Sequence, residues 1–351
     1  MKKAVIMAGG QGKRLRPLTL KIPKPMVPIV NKPCLVYIVN HLKQSGFTEI
    51  IMTINKRNNM IKDYFQDGKA FGVKIHYVEE VEPLGTAGSI KNCAPLLNEP
   101  FLVISGDAVT NISIQEAIDF HQRAGGIATI LLATVNNPTQ FGMVLTNRDG
   151  RITRFLEKPK PSEIFGRTVN TGIYLFEPEI LSHIDKEVAV DFGKNVFPNL
   201  LNTDEGLYGY CVKNYWNDIG TISEYFNTQF NLLNGEINID IPQHMVGSKY
   251  YLDVHAQIHP TAEITPPVYI GAHAQIGPHV RIMPHTIIGD HVTISDNSEL
   301  SNTIIWDHVY VGSHTKLNQT IVCNHTFIEG EVAINNKIIV SDHKNYILKQ
   351  V

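Results

Sequence analysis

The residues best suited to chemistry begin with AGGQGKRLRPLT, a glycine-rich and cation-rich stretch directly after the apolar run KAVIM. Glycines there let backbone N–H groups come close to a polyphosphate, and a helix start after them adds dipolar attraction for an anion. Two familiar phosphate loops do not fit. A dinucleotide fingerprint needs GxGxxG, but after Gly10-Gln11-Gly12 the last glycine position holds Leu15. A Walker A loop needs GxxxxGK[ST], but Gly12-Lys13 is followed by Arg14, and the upstream glycine would fall at Met7. What remains is a loop offering Lys13, Arg14 and Arg16, with Lys24 held between Pro23 and Pro25, where little entropy is left to lose. Four cations near one glycine turn, in a chain of net charge −2, suit a triphosphate, although such a loop taken alone is more often a solvated basic one.

Carboxylates further along give that loop a purpose. Asp107 follows the apolar run FLVIS, as expected at the C-terminal end of a strand, where α/β sheets bind ligands. Asp218 sits in YWNDIGT. Each aspartate alone is more often a cap or turn residue. Together they form a plausible Mg²⁺ pair, because Mg²⁺ takes one or two carboxylates and completes its shell with phosphate oxygens and water. Glu157 and Lys158 stand together, pinned by Pro159. The lysine suits a monoester phosphate and the carboxylate suits sugar hydroxyls.

The elements that must position these groups fall into two regimes. Up to about Gly235, short apolar runs alternate with amphipathic stretches. KAVIMA, EIIMTI, VKIHYV, FLVISGD and IATILLAT read as strands. CLVYIVNHLKQSG, ending at Gly46, reads as a helix, as do segments near 57–65 and 113–124 and the stretch ISEYFNTQFNLLNGE. This alternation predicts an α/β, Rossmann-like domain over 1–236, with a mainly parallel, mixed sheet. A linker follows over 237–251.

From Leu252 the period becomes six. Leu252, Ile258, Ile264, Ile270, Ile276, Ile282, Ile288, Ile294 and Leu300 keep strict register; after one slip Ile305, Val311 and Leu317 continue it, and after another Val322, Ile328 and Ile334. A small or β-branched residue stands four places after most anchors, which lets the chain turn a corner after each short strand. Stacked triangular coils then bury one apolar column, the pattern of a left-handed parallel β-helix over 252–340, with a tail over 341–351. His255, His273, His291, His308 and His325 all fall three residues after an anchor, on one corner. At the ~4.8 Å spacing of neighbouring strands they predict a histidine ladder, read as a solvated row of turn residues.

Composition narrows the partners. With 43% hydrophobic and 18% charged residues the chain is ordinary for a globular protein, and its near-neutral balance favours neither nucleic acid nor an anionic membrane. The N-terminal apolar run is too short for a secretory signal, and Cys34, Cys93, Cys211 and Cys323 show no CxxC spacing. The expectation is a cytoplasmic protein with four buried thiols.

In order, the motifs GGQGKRLRPLT, PKP, EPLGTAG, SGD, FGMV, EKP, NTGIY and WNDIG resemble those of the sugar-1-phosphate nucleotidylyltransferases, the nucleoside-diphosphate-sugar pyrophosphorylases. The hexapeptide tail resembles the subgroup with a C-terminal β-helix. Carried over, the resemblance implies that Gly9, Gly10 and Gly12 cradle the triphosphate, with Ala8 and Lys13 beside them. Arg14 would neutralise charge at the reacting phosphorus, and Lys24 would contact the phosphates there. Glu80, Gly85, Thr86 and Gly106 would lie on the nucleotide side, and Asp107 and Asp218 would hold a catalytic Mg²⁺. Gly142, Glu157, Lys158, Asn170, Thr171 and Gly172 would form the sugar-phosphate pocket. Lys13 departs from the family, where many relatives carry threonine. The implied reaction joins an NTP to a hexose 1-phosphate and releases pyrophosphate without a covalent enzyme intermediate.

The base is read from VEEVEPLGTAG, which holds Glu79, Glu80 and Glu82 and no glutamine. Guanine presents N1–H and N2–H₂ side by side, a pair that one carboxylate accepts; uracil and thymine suit an amide better. EPLGTAG resembles the mannose-1-phosphate guanylyltransferase branch, whereas GEINIDIP and VDFGKNVFP resemble a glucose-1-phosphate uridylyltransferase branch. The expectation is GTP with mannose 1-phosphate; the alternatives are UTP or dTTP with glucose 1-phosphate, GTP with a heptose 1-phosphate, or a regulatory sugar-nucleotide-binding homologue. Acyl transfer by the β-helix is disfavoured, since the unbroken hexads leave no room for a protruding loop. A homo-oligomer with contacts involving the β-helix is expected instead.

Overall fold

The computed structural model describes the chain except Gln11, Asp240 and residues 242–243, 246–248, 343–344 and 351; for His244, Met245, Asp342 and residues 345–350 it describes the backbone alone. The chain divides into two compact units whose border does not follow the sequence: one holds Met1–Gln11, Pro23–Met26 and Cys34–Asp218, the other Gly12–Ile22, Val27–Pro33 and Ile219–Val351.

The first unit is built on a nine-stranded mixed sheet among the described residues. Its parallel centre is Phe101–Ser105, Lys3–Met7, Glu49–Asn55 and Lys74–Glu80, side by side in that order. Register lines up their C-terminal ends: Met7 lies opposite both Thr53 and Ser105, and Asn55 opposite Glu80. The residues that end these strands thus gather at the carboxyl edge, where sheets of this kind usually bind ligands. Strand Thr168–Phe176 runs antiparallel to Phe101–Ser105, Ala128–Thr134 and Gly142–Thr146, and Gly142–Thr146 in turn pairs with Ile152–Glu157. Beneath it an aromatic cluster of Phe101, Tyr174, Phe176, Phe192 and Phe197 fills the core, with ring centroids 5.1–5.8 Å apart for Phe176–Phe192 and Phe101–Phe176. The sequence-predicted strands all appear, as do helices Cys34–Gln44, Met60–Phe65 and Ile114–Ala124. Three of the four thiols are buried, but Cys211 is exposed where its strand Leu207–Cys211 runs out.

The second unit is the β-helix with what packs on it. Its three parallel faces carry the anchors inward: Ile258 over Ile276, Ile264 over Ile282, Ile270 over Ile288, and onward through Leu317, Val322 and Ile328 in one buried column. Corner residues His273, His291, His308 and His325 have φ of +55 to +58°, the left-handed region that His, Asn and Asp tolerate better than other side chains. This explains why histidine recurs there. Rings 255, 273, 291, 308 and 325 stack at 4.9–5.1 Å.

The three outer faces differ. One carries Tyr269, Ile287, Ile304, Ile321 and Ile338, all buried. Helix Ile222–Leu233 packs there: Trp306 Nε1 donates to Tyr225 Oη at 2.9 Å, and the Phe230 and His285 rings lie 5.0 Å apart. The same helix holds the hairpin Pro28–Pro33, whose turn residues Val30 and Asn31 have positive φ; Gln229 accepts from Val30 N–H and donates to the Pro28 carbonyl, while Asn31 donates to Asp290. These contacts are why a helix that ends the α/β sequence pattern groups with the repeats. The second face alternates Glu263, Arg281, Glu299 and Lys316, and neutralises itself through the Arg281–Glu299 and Lys316–Glu299 ion pairs. The third presents Gln257, Gln275, Thr293, Tyr310 and Phe327, with no formal charge.

Candidate active site

At the carboxyl edge of the first unit lies a cleft of about 260 Å³ lined by Gly9, Gly10, Lys24, Glu80, Gly85, Thr86, Gly106, Asp107 and Asp191, among others. These nine residues come from six separate stretches of chain, and all but Asp191 were named from the sequence. Ala8 is buried beside them, its N–H bonded to Thr53 O at 3.0 Å. Gly85 opens helix Gly85–Asn92 at φ +74°, and a Cβ there would lie 2.5 Å from the Val190 carbonyl, so only glycine lets the 190 segment dock on it.

Glu80 is 7% exposed, at the end of strand Lys74–Glu80. Its Oε1 is buried with no hydrogen-bond partner among the described residues. Burial raises its carboxyl above the usual range, against the pull of the Ser89 hydroxyl and the Leu84 N–H. An orphaned carboxylate oxygen at a cleft wall costs free energy unless a ligand donates to it.

Asp107 follows strand Phe101–Ser105, and short strand Ala108–Thr110 begins right after it. That strand pairs antiparallel with Trp216–Asp218, setting Asp218 opposite Ala108 and next to Asp107. Two carboxylates 111 positions apart in sequence are thereby joined by one ladder. Ser105 Oγ donates to Asp107 Oδ1 at 2.7 Å, and Lys24 forms an ion pair with Oδ2. Burial works against the Asp107 carboxylate, but the Lys24 ammonium and the Ser105 hydroxyl outweigh it and hold its carboxyl below the usual range. A site that already accommodates a cation on Asp107 fits Mg²⁺. Among the described residues no group of three or more His, Cys, Asp or Glu side chains could hold a metal, so the fit is to an ion that draws its other ligands from phosphate and water. Burial, and then the charge of Asp107, push the Cys34 thiol up, which makes it a packed hydrophobe and no nucleophile.

Glu157 ends strand Ile152–Glu157 and Lys158 follows it. Gly142 lies opposite Glu157, and a Cβ on it would come 2.7 Å from Glu157 Oε2, so the carboxylate lies flat over the neighbouring strand. Burial raises the Glu157 carboxyl; Lys158 and Lys194 oppose the shift and Asp191 adds to it. Lys158 has φ +48°, a strained conformation for a non-glycine residue before proline, held by its N–H to Phe141 O at 3.0 Å. Its side chain is 56% exposed with the ammonium 3.8 Å from Glu157, free to reach outward.

Asn170, Thr171 and Gly172 form a bulge in strand Thr168–Phe176. Asn170 accepts from Gly172 N–H and donates to Tyr174 Oη, and Gly172 packs on Ser105 beside Asp107. Thr171 departs from its expected role as a sugar contact. Its side chain is 2% exposed and its hydroxyl is used up, donating to Leu131 O and accepting from Ile173 N–H. It fastens the bulge that turns its neighbours.

Asp191 was not foreseen. It lines the cleft and caps the turn Phe192–Val196 by accepting from Gly193 and Lys194 N–H groups. An aspartate before Phe-Gly-Lys is a capping signal, but nothing in the sequence says that this cap faces the cleft.

In the second unit, Gly12 at φ +58° starts the helical turn Lys13–Leu15. Buried Leu15 and a Thr19 Oγ1 to Gly12 O bond of 2.8 Å fasten the turn, leaving Lys13, Arg14 and Arg16 at its surface.

Residues 3–235 match the nucleotidyl transferase family, and residues 247–348 match the EIF2B subunit epsilon LbH domain. The chain is 36% identical over 255 residues to a UTP–glucose-1-phosphate uridylyltransferase of Synechocystis, an alignment covering 68% of this chain and 66% of that protein. It is 35% identical over 236 residues to a mannose-1-phosphate guanylyltransferase of Mycobacterium tuberculosis, covering 66% of this chain and 65% of that one. Both alignments therefore span just under two thirds of the relatives' length. The crystal structure of HddC from Yersinia pseudotuberculosis complexed with GMP-PN superposes at a TM-score of 0.57 with 26% identity, over 66% of this chain and all of that one. With its first 235 residues matched almost from end to end, the chain belongs to the nucleotidyl transferase family.

Proposed function

We propose that the protein transfers a guanylyl group from GTP to mannose 1-phosphate, giving GDP-mannose and pyrophosphate. The observation that carries the choice of base is Glu80, whose buried, partnerless Oε1 suits the adjacent N1–H and N2–H₂ donors of guanine. A relative named mannose-1-phosphate guanylyltransferase and a fold neighbour crystallised with GMP-PN support the same base. The relative named uridylyltransferase supports a second reading, UTP with glucose 1-phosphate.

A phosphate oxygen of the sugar phosphate attacks the α-phosphorus of the NTP in line; the bond from that phosphorus to the bridging α–β oxygen breaks, and pyrophosphate leaves with the electron pair. Bound between Asp107 and Asp218, Mg²⁺ would neutralise charge on the phosphates. Lys24 meets charge building on the same phosphates, and Lys158 holds the monoester while Glu157 accepts from sugar hydroxyls. Gly12, Lys13 and Arg14 keep the triphosphate role that the family resemblance implies. Positioning and electrostatics supply the catalysis. Assaying pyrophosphate release from four NTPs against mannose, glucose and heptose 1-phosphates tests the reading. GTP with mannose 1-phosphate is expected to give the highest kcat/KM, and preference for UTP with glucose 1-phosphate would replace it with the second reading.

We further propose that a second copy of the chain covers the uncharged β-helix face. A two-fold contact buries one patch against itself, and the outward strand residues Gln257, Gln275, Thr293, Tyr310 and Phe327 can be buried there without desolvating ion pairs such as Arg281–Glu299 on the neighbouring face. Tyr310 and Phe327, 38% and 53% exposed and stacked at 4.8 Å, would be its apolar centre. Phe327→Glu is expected to shift the species seen by light scattering to monomer without changing Tm, and an unchanged mass would contradict it. No helix among the described residues is long and apolar enough to cross a membrane; the absence of such a helix is compatible with the cytoplasmic location we propose.

A further inference from the structure

The cleft is built from segments far apart in sequence, and one side chain ties two of them together. Thr86, on the nucleotide side, donates from Oγ1 to Asp191 Oδ2 at 3.0 Å and accepts from Phe192 N–H at 2.9 Å. The other oxygen of Asp191, Oδ1, accepts from Gly193 N–H at 3.0 Å and Lys194 N–H at 3.2 Å. Backbone bonds reinforce the joint: Val190 O accepts from Ala87 N–H and Gly88 N–H, and Val190 N–H donates to Leu84 O. Beyond the cap, a Cβ on Gly193 would lie 2.5 Å from Glu157 Oε2, so the capped turn is pressed against the carboxylate assigned to the sugar. The contacts run unbroken from Thr86 through Asp191 and Gly193 to Glu157.

We propose that Asp191 is a positioning residue for the transfer reaction: it locks the capped turn 192–196 to the nucleotide-side segment 84–88 and so fixes Glu157 in its sugar-reading pose. The proposal rests on the nucleotidyl-transfer reading above and adds the link between the two substrate halves. Both carboxylate oxygens are spent within the protein, one on the cap and one on Thr86, which is the arrangement of a brace and not of a group that meets substrate. Without the brace the turn is free to drift, Glu157 follows it, and the loss falls on the sugar phosphate.

Steady-state kinetics of Asp191→Ala and Asp191→Asn, with GTP and mannose 1-phosphate varied in turn, test this. Asp191→Ala is expected to raise the sugar-phosphate KM about tenfold, the effect of losing a cap and its side-chain bond, with the GTP KM and kcat each within about threefold. Asparagine caps as well as aspartate, and its amide can donate to Thr86 Oγ1, so Asp191→Asn is expected to return the sugar-phosphate KM to within about threefold of wild type. An unchanged sugar-phosphate KM in Asp191→Ala overturns the proposal, as does a parallel rise of both KM values with a lowered Tm. An Asp191→Asn variant as poor as Asp191→Ala also overturns it, because the charge itself would then be needed. Those results leave the nucleotidyl-transfer reading standing, whereas a wild-type chain that releases no pyrophosphate from any substrate pair overturns both.

Discussion

Replacing Lys24 with alanine is expected to lower kcat by about 10²–10³-fold, the usual cost of one preorganised group that meets charge in the transition state. The ammonium sits on Asp107 at the end of strand Phe101–Ser105, with both side chains less than a fifth exposed. Its loss takes a cation from the phosphate site and leaves a buried carboxylate whose burial is opposed by the Ser105 hydroxyl without the ammonium. The two consequences separate by pH. In the wild type the depressed Asp107 carboxyl contributes stability that is present above its unfolded pKa and lost as pH falls through its folded one. In the variant that carboxyl shifts upward from its wild-type position, since the ammonium no longer offsets burial, so its ionised form is less favoured at neutral pH and the penalty is relieved on acidification. The stability gap between the two proteins is therefore expected to narrow as pH falls, while the loss in kcat persists wherever both remain folded. Near-normal turnover in Lys24→Ala would refute the assigned role.

The second large effect is expected at Glu80. Glu80→Gln replaces an all-acceptor carboxylate with an amide that both donates and accepts, the pattern that uracil and thymine present in complement. The kcat/KM for GTP is expected to fall about 10–100-fold, the worth of a hydrogen bond to a charged group, and that for UTP or dTTP to rise. The raised carboxyl predicts a further signature. If the ionised form reads the base, the wild-type KM for GTP climbs as pH falls through a pKa above the ordinary glutamate value, and the glutamine variant loses that acid limb. An unchanged base preference in Glu80→Gln would show that Glu80 lines the cleft without reading it.

What the sequence made legible follows from how local each feature is. The β-helix could be laid out residue by residue because each coil meets only its neighbours, so a six-residue period fixes both the column from Ile258 to Ile328 and the histidine stack beside it. The parallel strands were legible as apolar runs, and Asp107 as the residue after one of them. The partner strand that sets Asp218 beside Asp107 was not, since the Trp216–Asp218 ladder is three residues long and antiparallel to a strand over a hundred positions away. Thr171 misled because the NTGIY motif does not say which of its side chains turns inward; the bulge does. Asp191 escaped for the opposite reason: its cap is local, but its bond to Thr86 spans 105 positions. Cys211 was read as buried from its residue type and lies exposed because its strand ends there. Helix Ile222–Leu233 was correctly placed in sequence, yet its grouping with the repeats depends on Tyr225 and Gln229, which reach Trp306 and the Pro28–Pro33 hairpin.

The claim at the centre is that this chain joins a nucleotide to a sugar phosphate with release of pyrophosphate. Phosphorus-31 NMR of the full chain with GTP, mannose 1-phosphate and Mg²⁺ follows every phosphorus at once. The account predicts GDP-mannose and pyrophosphate appearing in equal amounts, stopped by a chelator and restored by added Mg²⁺. Release of orthophosphate, or GTP and mannose 1-phosphate that stay unchanged while UTP or dTTP with another sugar phosphate does as well, would contradict it.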